Sequence, residues 1–357
     1  MLHKFPQPGP NAGLENVALP HLAPRRAFFQ TTRLSYVFIA REYIPRMRFF
    51  LFALLAAASF AQSSPRVNLV TSDIANFWKA YDASEPGKRS ETFTELYFKP
   101  ATPGLRDFIR LRIETAEKLA ADVERYQKFY STIRPYTLRV ETQRAAILKQ
   151  LDRYAELYPE ANFPTVYFVI GRVTSGGTTS DRGLLIGTEV WSLGPGVDAS
   201  EINPSFVRAM GTMEKLPQIV LHELTHTQVK RAGPNATPVP NLLARCVKEG
   251  AADFITELVT SSSINAHSKE WADARRDELF ARFKSDLAAK PDDASHWLYN
   301  YGTAGDEPAD LGYWIGAEIC RSHYAQAKDK RAAVREIVTL TNVAQLVRES
   351  AYHSLLP

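Results

Sequence analysis

Two cysteines, Cys246 and Cys320, in 357 residues are too few for a disulfide framework, so the fold has to rest on a packed core. Charge of one sign is nowhere concentrated. The net charge of +4 is spread along the chain, and no lysine or arginine block with interleaved aromatics stands out, which argues against a nucleic-acid partner. No internal repeat or low-complexity tract is visible, which removes solenoid and fibrous architectures. The apolar run from Phe49 to Ala58 is too short to span a bilayer comfortably, so no stable membrane span is expected. With 45% hydrophobic and 23% charged residues, the chain can bury one large core or two modest ones.

That short apolar run has another meaning. From Met47 the chain reads MRFFLFALLAAASFAQSS: a charged start, an apolar stretch, then small residues at the third and first places before Gln62. This is the pattern of a signal peptide over 47–61, cut after Ala61. Residues 1–46, proline-rich and aperiodic, read as upstream or leader sequence, with Met47 as the expected start. The mature protein is then exported, periplasmic or extracellular, where the two cysteines have the opportunity to oxidise. Pairing of Cys246 with Cys320 and two unpaired buried thiols remain open at this stage.

Residues 62–357 are expected to form a single domain, helical over 70–160 and carrying a sheet and further helices over 164–345. In SDIANFWKAYDAS, Ile74, Phe77, Trp78 and Tyr81 recur at helical spacing behind Ser72 or Asp73, so the aromatic stripe faces a core. Helical periodicity continues over 104–133 and from Leu138 to Leu157. After Pro164 the character changes. TVYFVIGRV and LLIGTEVW are β-branched and apolar runs joined by the turn-rich TSGGTTSDRG, which predicts a hairpin or a small antiparallel sheet. Gly176 and Gly177 in that loop lack the lysine and the spacing of a phosphate-binding loop; a flexible connection or a substrate-side role is left. Helices then follow over roughly 214–230, 241–260, 268–289, 308–327 and 328–340. The fold class is α+β, mainly helical.

Within the first of these helices stands IVLHELTHTQVK. Residues four apart share one helix face, so His222 and His226 can present their rings to a single ion. Glu223 sits beside them and can take a proton from a water held on that ion. Ile219, Val220, Leu221 and Leu224 surround the motif. Two buried histidines and a buried glutamate are costly without a partner, and a zinc ion is the simplest one.

A catalytic zinc needs a third protein ligand and one open position. A histidine six residues beyond His226, as in metzincins, is ruled out by Ala232, and Val229 stands where that pattern has glycine. The downstream motif of aspzincins is poorly matched by YGTAGDEPAD, where Asp306 is displaced. A closed structural site would call on Cys246, a lone thiol. The segment KEGAADF fits best. Glu249 is the expected third ligand. Asp253, one turn further along the same face, can accept the other ring N–H of a ligating histidine, and Gly250 lets the two helices of the pair approach closely.

His222, Glu223, His226, Glu249 and Asp253 together resemble the gluzincins, the thermolysin-like metallopeptidases. The resemblance implies a helix-borne zinc, one per chain, under a strand edge that pairs with an extended peptide, a role for which LLIGTEVW is the candidate. It also implies a tyrosine or histidine that stabilises the oxyanion; Tyr313 is the first candidate, with His323 and Tyr301 behind it. Over most of residues 70–345, the segments NFWKAYD, VYFVIGRVTSGGTTSDRGLLIGTEVW, HELTHTQ, EGAADFITELV and PADLGYWIGAEIC are similar to bacterial predicted zinc-dependent proteases related to a gliding-motility lipoprotein. Unlike that lipoprotein, the chain has no cysteine at the signal-peptide cut, so no lipid anchor is expected. The expected function is zinc-dependent hydrolysis of peptide or protein substrates. The alternative is an envelope binding or assembly protein that keeps the fold without turnover.

Overall fold

The computed structural model describes residues 67–85 and 87–356; the expected leader over 1–46 and the expected signal peptide over 47–61 lie outside them. Among the described residues no helix is long and apolar enough to cross a membrane.

The first helix, α1 (Ser72–Ala83), buries Ile74, Phe77 and Trp78 as the spacing predicts. Phe77 is the hub of an aromatic cluster. Trp78, Phe93, Tyr97 and Tyr130 stand around it with ring centroids 5.0–6.0 Å away, the offset and edge-on spacing that aromatic rings favour. The periodic stretch over 104–133 is not one helix. Pro103–Phe108 runs into a π-helical turn, Ile109–Ile113, and Glu114 then reverses the chain at φ +74° before α2 (Ala116–Arg125) and α3 (Gln127–Thr137). The next expected helix begins as a 3₁₀ segment, and only Arg144–Leu157 (α4) is α-helical.

Four short strands form one sheet: β1 (Leu69–Val70), β2 (Val166–Val169), β3 (Thr178–Ser180) and β4 (Gly183–Gly187), in the order β1-β2-β4-β3. This corrects the antiparallel expectation, because the sheet is mixed. VYFV and GLLIG pair in parallel, Val166 opposite Leu184 and Val169 opposite Gly187. The antiparallel hairpin is instead β3–β4, closed by Asp181 and Arg182 between Ser180 and Gly183. Both parallel strands are buried at every residue. Their unbroken apolar runs are what a strand covered on both faces needs, whereas a half-exposed hairpin alternates. LLIGTEVW is also not an edge: its strand ends at Gly187, Thr188–Trp191 is a 3₁₀ turn, and the free edge on that side belongs to β3.

Two buried tyrosines fasten the helical half to the end of β2. Tyr97 donates to the carbonyl of Ile170 at 2.7 Å, and Tyr130 to that of Gly171 at 2.7 Å. The Val173 N–H donates to the fully buried Glu189 at 3.3 Å. Burial raises that carboxyl to about 7, against backbone hydrogen bonds that lower it. The loop that follows, Thr174–Gly177, is therefore held from below.

Beyond the sheet lie α5 (Leu216–Gln228), α6 (Asn241–Thr260), α7 (Ala266–Asp273), α8 (Arg276–Ala289), α9 (Leu311–Gln326) and α10 (Lys330–Thr339). The stretch expected as one helix over 268–289 is thus two. The most extensive helix contact is between α6 and α9, and glycines make it possible. A methyl group at Gly316 would lie 1.8 Å from the Cys246 carbonyl oxygen, and one at Gly250 2.0 Å from the Ala317 nitrogen. Gly250 thus serves the approach of α6 to α9, not that of α6 to α5. Cys246 and Cys320 are both free and buried, so of the two open alternatives the structure carries unpaired thiols.

Candidate metal centre

Apolar residues cover α5 nearly all round and Pro217 stands in its first turn, so the helix is buried on every side. His222 and His226 share one face of it, and their Nε2 atoms are 3.1 Å apart. From α6, Glu249 brings its Oε2 to 3.1 Å from His226 Nε2 and 3.6 Å from His222 Nε2. Three donors each about 2.0–2.1 Å from one ion at tetrahedral angles would be about 3.3 Å apart. The three observed edges bracket that value, and the donor set is two imidazoles and a carboxylate. The residues fit a zinc ion.

Asp253 stands one turn beyond Glu249 and accepts from His222 Nδ1 at 2.8 Å. With a metal ion bound, that hydrogen bond would keep the ring proton on Nδ1 and free the Nε2 lone pair for the ion. Asn265 donates to the other Asp253 oxygen at 3.3 Å. Burial opposes a charge on His222, yet the hydrogen bonds to Asp253 and Glu249 outweigh it and raise the imidazole to about 10. Burial likewise acts to raise Glu249, but the two histidines hold its carboxyl well below the usual range. Three carboxylates around two imidazoles make a site that attracts positive charge.

Glu223 is 7% exposed, and burial raises its carboxyl above the ordinary carboxylate range, opposed by His226 and His222. Its carboxylate lies under the loop from β2 to β3. A methyl group at Gly177 would stand 2.4 Å from Glu223 Oε1, so glycine is what lets the backbone pass over the carboxylate. Neighbouring Gly176 is pinned by Trp191, which donates to its carbonyl at 2.8 Å. The two glycines therefore form the roof of the site, not a flexible connection. We expect Gly177→Ala to lower turnover by roughly 10- to 100-fold through displacement of this carboxylate. The unfolding midpoint should hardly change, since the group that yields is the end of a side chain. Steady-state kinetics beside thermal unfolding will check it; a large fall in stability would mean that the glycine serves folding instead.

The centre opens into a cleft of about 700 Å³. Tyr313, at the start of α9, lies nearly parallel to the His222 ring at 5.9 Å and is partly buried. Tyr301 lines the same cleft, edge-on to Phe206. His323 is elsewhere: it sits ten residues along α9 from Tyr313, about 15 Å, and pairs with Glu336 at 2.8 Å, so it is withdrawn as an oxyanion candidate. Cys246 faces Gly312 and takes no part in the donor cluster. Sequence reasoning missed Tyr299. Its hydroxyl donates to Glu249 Oε1 at 3.0 Å, which keeps Oε2 turned toward the histidines. Its ring is 56% exposed on a loop whose ends are joined by backbone hydrogen bonds from Tyr299 to the Asp310 side chain and from Asp310 to the Asn300 side chain. No motif marks it; the only signal is the aromatic content of WLYNYGT.

Residues 200–344 match the model of a family described as predicted Zn-dependent protease (DUF2268). The match takes in α5, α6 and α9, and stops short of the sheet. No curated protein and no solved structure matches the chain.

Proposed function

We propose that this chain is an exported, gluzincin-type zinc peptidase. One observation carries the reading: the donor atoms of His222, His226 and Glu249 converge at tetrahedral-edge distances while Glu223, the adjacent carboxylate, is left without a metal-binding role. The family match to predicted Zn-dependent proteases supports it. A zinc ion bound there supplies a Lewis acid that polarises the substrate carbonyl and makes water more acidic.

The chain's own residues do the rest. Glu223, raised by burial, takes the proton of the attacking water and returns it to the leaving amine. Asp253 orients His222 through Nδ1. The exposed edge of β3, next to Gly177, accepts the peptide backbone by strand addition. Tyr299 and Tyr313 are the two hydroxyl-bearing groups at the ligand cluster that can donate to the developing oxyanion. Tyr299 would have to release Glu249 to do so, because its one hydroxyl proton is given to that carboxylate; Tyr313, packed against His222, makes no such bond to a ligand.

Metal removal tests the reading. The purified protein is expected to contain one zinc per chain. A chelator should remove it and abolish cleavage of casein or a peptide library, and added zinc should restore both. Stoichiometric zinc with no cleavage of any substrate would favour the binding or assembly role; absence of zinc would remove both.

A further inference from the structure

Arg112 is the exposed residue of the π-helical turn that faces the metal cleft. Three acids near it in the chain are already engaged with other cations. Asp107 is shared by Arg110 at 3.8 Å and Arg182 at 3.6 Å. Glu114 is held by Lys118 and by Arg172 at 2.5 Å, and Asp122 by Arg172 at 2.9 Å. Among the described residues Arg112 has no carboxylate within ion-pair distance. Its only side-chain hydrogen bond among them is to the Thr178 hydroxyl, at 2.9 Å.

Its backbone, by contrast, is firmly held. The Arg172 side chain donates to the carbonyls of Arg112 and Ile113 at 3.2 and 3.0 Å. A guanidinium has five donors in a planar fork suited to a carboxylate, and here four of them are left over at a fixed place. That place is on the reaction path. Thr178 opens β3, the neighbouring Gly177 touches Glu223, and the positive charge of Arg112 acts on the Glu223 carboxyl. Lys215 and Arg208 also line the cleft without a carboxylate partner among the described residues; of the lining acids away from the metal centre, Glu257 and Glu318 are taken by Arg321, while Asp306 has no ion pair among them.

We propose that Arg112 is a substrate-binding residue that takes a carboxylate of the peptide beside the bond to be cleaved, so that the cleft selects acidic peptides. The carboxylate is that of an acidic side chain or of a free C-terminus. This rests on the peptidase reading for its consequence in catalysis, but not for the binding itself.

The test therefore has two arms. In the first, zinc-loaded full-length protein cleaves matched peptides with glutamate or glutamine flanking the scissile bond, each with a free or an amidated C-terminus. We expect kcat/KM about 30-fold higher for the carboxylate-bearing member, mostly in KM. Arg112→Ala should remove that preference and Arg112→Lys restore part of it. Which pair shows the effect identifies the source of the carboxylate. In the second arm, the same peptides bind to zinc-loaded Glu223→Gln, with and without Arg112→Ala, read by fluorescence anisotropy. A carboxylate preference in binding without any cleavage supports the site and removes the peptidase reading. Equal binding of acidic and neutral peptides, or an equal loss of both in Arg112→Ala, overturns the site.

Discussion

Glu223→Gln is expected to lower peptide hydrolysis by about 10³-fold while one zinc per chain stays bound. The two effects separate because Glu223 is not among the three converging donors; it stands beside them on α5 and under Gly177. Glutamine keeps the shape and loses the proton acceptor. It also removes a carboxylate from a site where only 7% of the residue is exposed, and a buried charge is costly. The unfolding midpoint should therefore be unchanged or slightly higher. Zinc content by elemental analysis, kcat/KM and thermal unfolding of the one variant together decide the matter. Retention of more than a tenth of wild-type turnover would falsify the assignment of Glu223 as the base, and loss of zinc would place it among the ligands.

The second large effect is expected at a helix contact that touches no reacting group. Gly316→Ala places a methyl group 1.8 Å from the Cys246 carbonyl oxygen, and Gly250→Ala places one 2.0 Å from the Ala317 nitrogen. Neither neighbour is a flexible side chain that can turn aside, so α6 and α9 have to separate. Overpacking of this kind costs 1–3 kcal/mol and occasionally more; with backbone as the obstacle on both sides we expect about 3 kcal/mol for either variant. Because α6 carries Glu249 and Asp253, the shift should also weaken zinc binding by at least about tenfold. Denaturant unfolding and a zinc titration of each variant will check this. Gly302→Ala, where nothing stands within 4 Å, is the control and should stay within about 0.5 kcal/mol of wild type. A Gly316→Ala protein as stable as the control would mean that the two helices are not in close contact in solution.

The residues of the candidate centre were legible to very different degrees. The three donors, Glu223 and Asp253 could be named from spacing alone. Tyr299 could not. Its hydrogen bond to Glu249 spans 50 residues, and the loop that delivers it is fixed by contacts with Asp310 that no periodicity announces. Tyr313 can be offered as a candidate because it opens a helix with a readable pattern. His323 was proposed from the same helix, and the length of α9 removed it. The sheet shows the same division. Its apolar runs are recognisable as strands, and VYFV and GLLIG do pair with each other, but in parallel instead of as an antiparallel hairpin. The clue was available in the unbroken burial pattern of VYFV and GLLIG, which belongs to parallel interior strands.

By itself the sequence determined what a single helix determines: that His222 and His226 face one way, that Glu249 and Asp253 do the same one element later, and that apolar neighbours bury both pairs. Backbone geometry repeats every 3.6 residues, so side chains four apart meet whatever the rest of the fold does. Only the tertiary structure decided which strand is left as the free edge, which helix Gly250 is there to admit, that Gly177 roofs Glu223, and that Arg112 stands unpaired beside them. Each of these is a contact between segments distant in the chain. Such contacts are selected by the packing of the whole core, and no local rule of spacing encodes them.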